Sequence, residues 1–432
     1  MKLQSINRYD AYKDSGVEWI GKIPVHWING RVKDFIDTNP ITKIPSDIAE
    51  DDLVEFIPMT NVNNELGQIK KFNFVNLKEV STGYTKFKNG DVIFAKITPC
   101  MENGNCAIVS GLTHNICFGS TEFMVFRAFR KLTAKYLHYF LHNDIFRRNA
   151  EPFMRGTAGQ KRITSHYMAT HCFVLPPAKE QQAITAYLDT KTAQIDRQID
   201  LLSQKATQYG KLKQSLINET VTRGLDKAVA MKDSGIEWIG EVPVHWEVQR
   251  IGTAFEERSE KVNDTDYPPL SVSMGGIVPQ MGSVAKTDHN DNRKRVAVGD
   301  YVINSRSDRR GASGISIYDG SVSVISIVLA PRRSFFGKYL HHLFRSYSFI
   351  EEFYRVGRGI VDDLWTTRYS VMKGIEFVYP SYEDQQAIAN YLDEKTAHID
   401  RIVATINSQI DKLKELRKTL INDVVTGKIK VA

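Results

Sequence analysis

Nowhere in the 432 residues does an apolar run approach the roughly 18 residues that a membrane-spanning helix needs, so a spanning segment is not expected. The first eight residues, Met1 to Arg8, lack the apolar core of a secretory signal, and the expectation is a cytoplasmic chain. Cysteine is scarce. Cys100, Cys106, Cys117 and Cys172 all fall in the first half without the paired close spacing of zinc ligands, which excludes a disulfide scaffold and reads as reduced interior thiols. Acidic excess is also absent, since 57 Lys and Arg against 50 Asp and Glu leave +7, a balance that permits a polyanionic partner without demanding one. With 25% charged and 42% hydrophobic residues, a disordered or fibrous chain is excluded.

Catalytic signatures are missing as well. No G-x-x-x-x-G-K-[ST] loop occurs, and Gly357-Arg358-Gly359 lacks the third glycine of a dinucleotide loop. The two Pro-Pro pairs follow Leu175 and Tyr267, so neither has the polar residue of an adenine methyltransferase loop. His138 and His142 have the spacing of a helical zinc pair, but the Glu that would act as base is missing and the second half has Arg345 in place of the second His. Packing is the reading for both histidines, and no metal site is expected.

What the chain does contain is itself, twice. Tyr12 to Trp27, YKDSGVEWIGKIPVHW, recurs as Met231 to Trp246, MKDSGIEWIGEVPVHW, with 12 of 16 positions identical. Gln181 to Arg197, QQAITAYLDTKTAQIDR, recurs as Gln385 to Arg401 with 13 of 17 identical. Between them Lys135-Tyr136-Leu137-His138 recurs as Lys338-Tyr339-Leu340-His341. The halves therefore share one fold with pseudo-twofold character, and four segments follow: 1–177, 178–224, 225–380 and 381–432.

Segments 178–224 and 381–432 read as long helices. Leu188, Ile195, Leu202, Tyr209 and Leu216 stand seven apart, and Leu392, Ile399, Ile406, Leu413 and Leu420 repeat the spacing. Two matched seams in one chain most simply pack on each other as an antiparallel coiled coil, about 65 Å long at ~1.5 Å per residue. The other two segments read as α+β modules, with Asp91 to Ala95 and Val322 to Leu329 as strands and Lys135 to Arg147 as a helix. Trp19, Trp27, Trp238 and Trp246 in the repeated opening block are expected to fix each module to the helices.

Between the repeated blocks the halves diverge, and there the loops are polar and basic. In the second half Arg293, Lys294 and Arg295 precede one apolar run, while Asn304, Arg306, Arg309 and Arg310 follow it. The matching loop of the first half carries Lys96, Thr98, Asn103 and Asn105. A further loop with Thr157, Gln160, Lys161 and Arg162 aligns with Arg358, although Asp362 and Asp363 bring acidic residues into the second copy. Guanidinium forks suit phosphate and the guanine O6/N7 edge, and Asn or Gln suits adenine, so these sixteen side chains are candidates for contacting DNA.

The twice-occurring K-D-S-G-[VI]-E-W-I-G-x-[IV]-P-V-H-W and Q-Q-A-I-x-x-Y-L-D-x-K-T-A-x-I-D-R resemble the specificity subunits of type I restriction-modification systems over essentially the whole chain. The resemblance implies two target recognition domains, each reading half of a bipartite asymmetric DNA site, held apart by a coiled coil that sets the spacer. It implies partners too: double-stranded DNA, two modification subunits, and restriction subunits, with S-adenosylmethionine, ATP and Mg on those partners and no cofactor or catalysis in this chain. The competing reading is a coiled-coil scaffold or DNA-binding adaptor outside restriction-modification. A self-contained nuclease or methyltransferase would require a constellation that the motif search does not find.

Overall fold

The computed structural model describes residues 7–157, 159–280, 291–359 and 365–431. It divides into two compact units, one of residues 1–201 with 409–432 and one of residues 202–408, so each long helix is shared between the units. The first long helix is Ala178–Arg223 and the second Tyr382–Val425. Among the described residues no helix is long and apolar enough to cross a membrane.

Each unit is an α+β frame of the same order. In the first, strands Cys106–Ile108, Val92–Ala95, Phe123–Ala128 and Ile36–Thr38 form one antiparallel sheet, and Asn73–Asn76, Leu53–Ile57, Cys117–Gly119 and Thr85–Phe87 form a second with one parallel pairing. In the second, Phe255–Glu257, Ser326–Pro331, Tyr301–Asn304 and Ser313–Ile315 repeat the first sheet, and Arg293–Val296 pairs with Gly320–Ser323 in the other. The cores are large and aromatic, centred on Trp27, Tyr136, Phe140 and Phe173 in one unit and on Trp246, Phe255, Tyr339 and Phe344 in the other.

The repeated motifs turn out to be clamps between module and helix. In the opening block the Asp14 and Asp233 carboxylates accept from the Gly16 and Gly235 amides at 2.8 and 2.9 Å, forming matched Asx turns. Lys13 and Lys232 reach the carbonyls of Trp27 and Trp246 at 2.6 and 2.8 Å. The indoles of Trp27 and Trp246 then donate to Glu180 at 3.0 Å and Asp384 at 3.2 Å in the first turns of the long helices. Hydrogen bonds from Trp27, His26 and Tyr9 outweigh burial and hold the Glu180 carboxyl below its usual range.

Gln181 and Gln385 are wholly buried. Their amides close the module onto the helix, accepting from the Thr133 and Phe336 N–H groups, each at 2.9 Å, and donating to the carbonyls of Pro176 and Pro380. Tyr136 and Tyr339 of the Lys-Tyr-Leu-His repeat donate to the ends of the helix pair, at Val425 and Val221. Lys135 and Lys338 meet Asp189 and Asp393 at 3.0 and 2.7 Å.

Within each unit the two helices run antiparallel. Asp196 pairs with Arg417 at 3.0 Å in the first, and the equivalent Asp400 with Lys213 at 2.7 Å in the second. The expected seam residues Leu188, Ile195, Leu392, Ile399 and Ile406 are buried, and Leu202, Leu216, Leu413 and Leu420 are half-buried. Both helices stop at a left-handed glycine, Gly224 (φ +78) and Gly427 (φ +76), where a Cβ would lie 3.1 Å from the Trp246 and Trp27 rings. The second helix thus ends at Val425 rather than running to 432, because the chain after Gly427 folds back to join Lys430 N–H to the Asn7 carbonyl at 2.8 Å.

Four other expectations need correction. Lys135 to Arg147 is two helices, Ala134–Leu141 and Asp144–Ala150, because the Asn143 side chain caps the second by accepting from the Ile145 amide at 2.8 Å. The run Val322 to Leu329 is broken by a turn at Val324 and Ile325. Trp19 and Trp238 do not reach the helix starts as Trp27 and Trp246 do; they pack on Phe140, Phe146 and His171 and on Phe349. Cys106 and Cys117 are interior, but Cys100 and Cys172 are only half-buried.

Candidate DNA-recognition loops

In the first unit, the strand Val92–Ala95 runs out into the loop that carries Lys96 and Thr98. The Lys96 amide donates to the Glu122 carbonyl at 2.9 Å, in the turn where the chain leaves one sheet for the other. The Lys96 carbonyl accepts from Ile163 N–H at 2.8 Å, Thr98 N–H donates to the Lys161 carbonyl at 2.9 Å, and Lys161 N–H donates to the Thr98 hydroxyl at 3.0 Å. Arg155 and Arg162 exchange two backbone hydrogen bonds, at 2.9 and 2.7 Å, closing the second loop into a hairpin. Three segments separate in sequence, at 96, 122 and 162, therefore meet at one junction.

Glu122 and Arg162 fix it with a two-pronged ion pair, the shortest contact 2.7 Å, and that fork holds the Glu122 carboxyl below its usual range. Thr157, Gln160 and Lys161 are exposed on the hairpin. Asn103 is exposed at the end of the short helix Cys100–Asn103, whereas Asn105 is half-buried and donates to the Met59 carbonyl at 3.4 Å.

The second unit builds the same junction. Ser305, the residue after the strand Tyr301–Asn304, donates its hydroxyl to the Ile325 carbonyl in the equivalent turn. The Ser305 carbonyl accepts from Thr367 N–H at 3.1 Å, Ser307 N–H donates to the Trp365 carbonyl at 3.1 Å, and Arg358 and Thr366 exchange backbone bonds at 2.9 and 3.0 Å. Matching these bonds to the first unit sets Lys96 against Ser305, Glu122 against Ile325, Arg155 against Arg358 and Arg162 against Thr366.

Of the sixteen candidates, the structure brings Lys96, Thr98, Gln160, Lys161 and Arg162 together in one unit and Arg306 and Arg358 in the other. Arg306 lies 3.3 Å from Asp308, Arg310 pairs with Glu351 at 3.0 Å and lies over the Tyr354 ring, and Arg309 and Arg358 are exposed. Three candidates are corrected to structural roles. Arg293 is 8% exposed in a strand, not a loop, and its guanidinium bonds the Ser321 hydroxyl and carbonyl at 2.8 and 3.0 Å. Lys294, on the same strand, bonds Glu257 at 2.7 Å and the Ser326 carbonyl at 2.9 Å. Asn304 is buried and accepts from the Arg306 amide at 3.0 Å. Arg295 stays half-buried, with Glu260 at 3.1 Å and the Tyr267 ring beneath it. Asp362 and Asp363, where the halves diverge, lie outside the described residues.

The junction also contains residues beyond the sixteen candidates. Arg155 is exposed at the hairpin base, and the turn residues Glu122, Val324 and Ile325 escaped notice because no Gly, Pro or Asn marks that turn in the second half. Among the described residues there is no group of three or more His, Cys, Asp or Glu arranged to hold a metal ion. His138 and His142 instead lie buried against each other, ring centroids 5.5 Å apart, with His142 on the Asn64 carbonyl at 2.9 Å.

Comparison with known proteins matches residues 24–207 to the type I restriction modification DNA specificity domain. The chain is 35% identical over 164 residues to the specificity subunit of the type I restriction enzyme EcoAI of Escherichia coli, covering 38% of this chain and 27% of that subunit. It is 24% identical over 443 residues to a specificity subunit of the putative type I restriction enzyme MjaX of Methanocaldococcus jannaschii, covering 95% and 96%. The fold is similar to a chain in a solved structure concerned with complex assembly and conformational transition of the type I R-M system, with TM-score 0.72 at 17% identity over 93% of this chain and 98% of that one. It is also similar to the HsdS subunit from Thermoanaerobacter tengcongensis, with TM-score 0.54 at 18% identity over 94% and 98%. A doubled frame, a matching domain model and these relatives agree: residues 24–207 match the type I restriction modification DNA specificity domain, and the chain is similar to type I restriction specificity subunits over most of its length.

Proposed function

We propose that this chain is the DNA sequence-specificity subunit of a type I restriction-modification complex, each unit reading one half of a bipartite asymmetric site. The observation that carries the proposal is the junction built twice. Backbone hydrogen bonds at 96, 98, 155 and 161–163 recur at 305, 307, 358 and 365–367, and the Ser305 hydroxyl holds the Ile325 carbonyl where the Lys96 amide holds that of Glu122, while the side chains presented differ. A scaffold that only joined proteins has no need for one frame with two divergent loop chemistries. Exposed Lys161, Arg155, Arg309 and Arg358 supply phosphate contacts and salt-dependent affinity, and the polar loop side chains supply base readout.

The helix pair acts as the ruler that sets the unread spacer and docks two modification subunits. Methyl transfer from S-adenosylmethionine, and any ATP- and Mg-dependent translocation and cleavage by restriction subunits, belong to the partners. The chain itself selects the sequence and does no chemistry. The test is single-molecule sequencing of adenine methylation in cells expressing the chain with its neighbouring methyltransferase, against cells lacking the chain. A bipartite motif that vanishes on deletion is expected; an active methyltransferase with the same motif in both strains overturns the proposal. Inserting one heptad at equivalent places in both helices shifts the preferred spacer, and an unchanged target after such an insertion removes the ruler role.

A further inference from the structure

The turn between the two sheets is where the units differ most in kind. In the first unit it is Thr121 and Glu122, polar, with Glu122 closed onto Arg162. At the same two positions the second unit has Val324 and Ile325, which are 37% and 42% exposed, and Thr366 stands where Arg162 would take the acid. A single exposed aliphatic residue needs no explanation. Here two adjacent β-branched residues occupy a turn, a position that ordinarily selects Gly, Asn, Asp or Ser. The polar alternative is available in the same chain on the same frame.

Their surroundings point to a ligand with both charge and methyl groups. The Ile325 carbonyl is held by the Ser305 hydroxyl, and Ser305 is followed by Arg306. Ser305 also receives the Thr367 amide at 3.1 Å from the loop that carries Arg358. An apolar turn tied to the loops that carry Arg306 and Arg358 matches the major groove, where phosphates line the edges and the C5-methyl of thymine is the one apolar group presented by the base pairs. We infer that Val324 and Ile325 are specificity-determining residues of the second unit that read thymine methyl groups, a means of readout the first unit's turn does not share. This inference rests on the DNA-recognition reading above.

The test removes only the methyl. With the full chain assembled with its methyltransferase, each thymine of the bipartite site, apart from the one opposite the methylated adenine, is replaced in turn by deoxyuridine. Binding is measured for the native chain and for the V324S/I325S variant. The native complex is expected to lose about fourfold per methyl contacted, at one or two positions confined to one half-site, as burial of a single such group implies. The variant binds the thymine and deoxyuridine duplexes alike at those positions and matches the native protein on deoxyuridine DNA. Both side chains are exposed, so its melting temperature stays at the native value, and a normal melting curve shows that it has folded.

Three results overturn the inference: half-sites with no other thymine, deoxyuridine tolerated everywhere, or the same losses in the variant. Loss of methyltransferase binding by V324S/I325S with the thymine dependence intact also overturns it and makes the turn a protein contact. If the assembled complex selects no DNA sequence at all, the failure lies with the recognition reading instead.

Discussion

Where the first unit grips Arg162 with Glu122, the second has Thr366 and Ile325, yet the backbone bonds between the two loops match, and the Ser305 hydroxyl holds the Ile325 carbonyl where the Lys96 amide holds that of Glu122. The difference shows how the fold separates two tasks. Four residues that both halves share bear on the frame: tryptophan on an acid, glutamine on a buried turn, tyrosine on a helix end, lysine on aspartate. At the junction the residues differ, and there substitution changes surface chemistry at small cost to packing.

The sharpest way to break the comparison is to attack the shared frame. Trp27→Ala and Trp246→Ala each delete a buried indole and remove one donor from a helix-start carboxylate, and each costs about 3–5 kcal/mol of stability in its own unit. Amide hydrogen exchange resolved by unit checks this, and losses differing by more than about 2 kcal/mol contradict a common frame.

Acid separates the units next. Burial drives the His138 pKa down to about 4 and that of His142 well below 6.5, and His171 is likewise lowered to about 4, all in the first unit. In the second, burial lowers His341 to about 4, and His342 is lowered less because Asp393 lies at 2.8 Å and offsets the burial. A depressed folded pKa means that the unfolded chain takes the proton first. Stability from these groups is complete above pH 6.5 and is lost as pH falls toward 4, by about 3 kcal/mol for His138. Hydrogen exchange between pH 7 and 4.5 is expected to open the first unit ahead of the second, with His138→Gln reducing the difference; simultaneous opening removes this asymmetry.

Much of the frame was legible because repetition aligned it. The two helices followed from heptads of leucine and isoleucine, and the repeated motifs located the clamps before their partners were known. Position within the repeat did not reveal which charged residues are interior. Arg293, Lys294 and Arg295 read as a basic loop, but the peptide pairs with Gly320–Ser323 in a sheet and alternation turns Arg293 inward onto Ser321. Nor was the turn at Val324 and Ile325 readable, since the run from Val322 to Leu329 carries no Gly, Pro, Asn or Asp and only the sheet crossing imposes the bend. Local sequence determines propensity, whereas partner strands decide which face of a cation meets water.

That distinction gives the finest test of the comparison between frame and reader, because two cations from one list of candidates now predict opposite phenotypes. Arg293→Ala leaves the Ser321 hydroxyl and carbonyl short of a donor inside the second unit, costs about 1–3 kcal/mol of stability, and leaves the salt dependence of DNA binding unchanged. Lys161→Ala removes an exposed side chain whose backbone alone ties it to Thr98, so stability changes by no more than about 0.5 kcal/mol. Its loss appears instead in DNA binding, as a weakening spread evenly over target sequences and a drop of about one in the slope of log affinity against log salt. Thermal unfolding together with binding at several salt concentrations separates the two. A Lys161 variant that melts early, or an Arg293 variant with a shallower salt slope, reverses their assignment and with it the division between the residues that build the junction and those that present it to DNA.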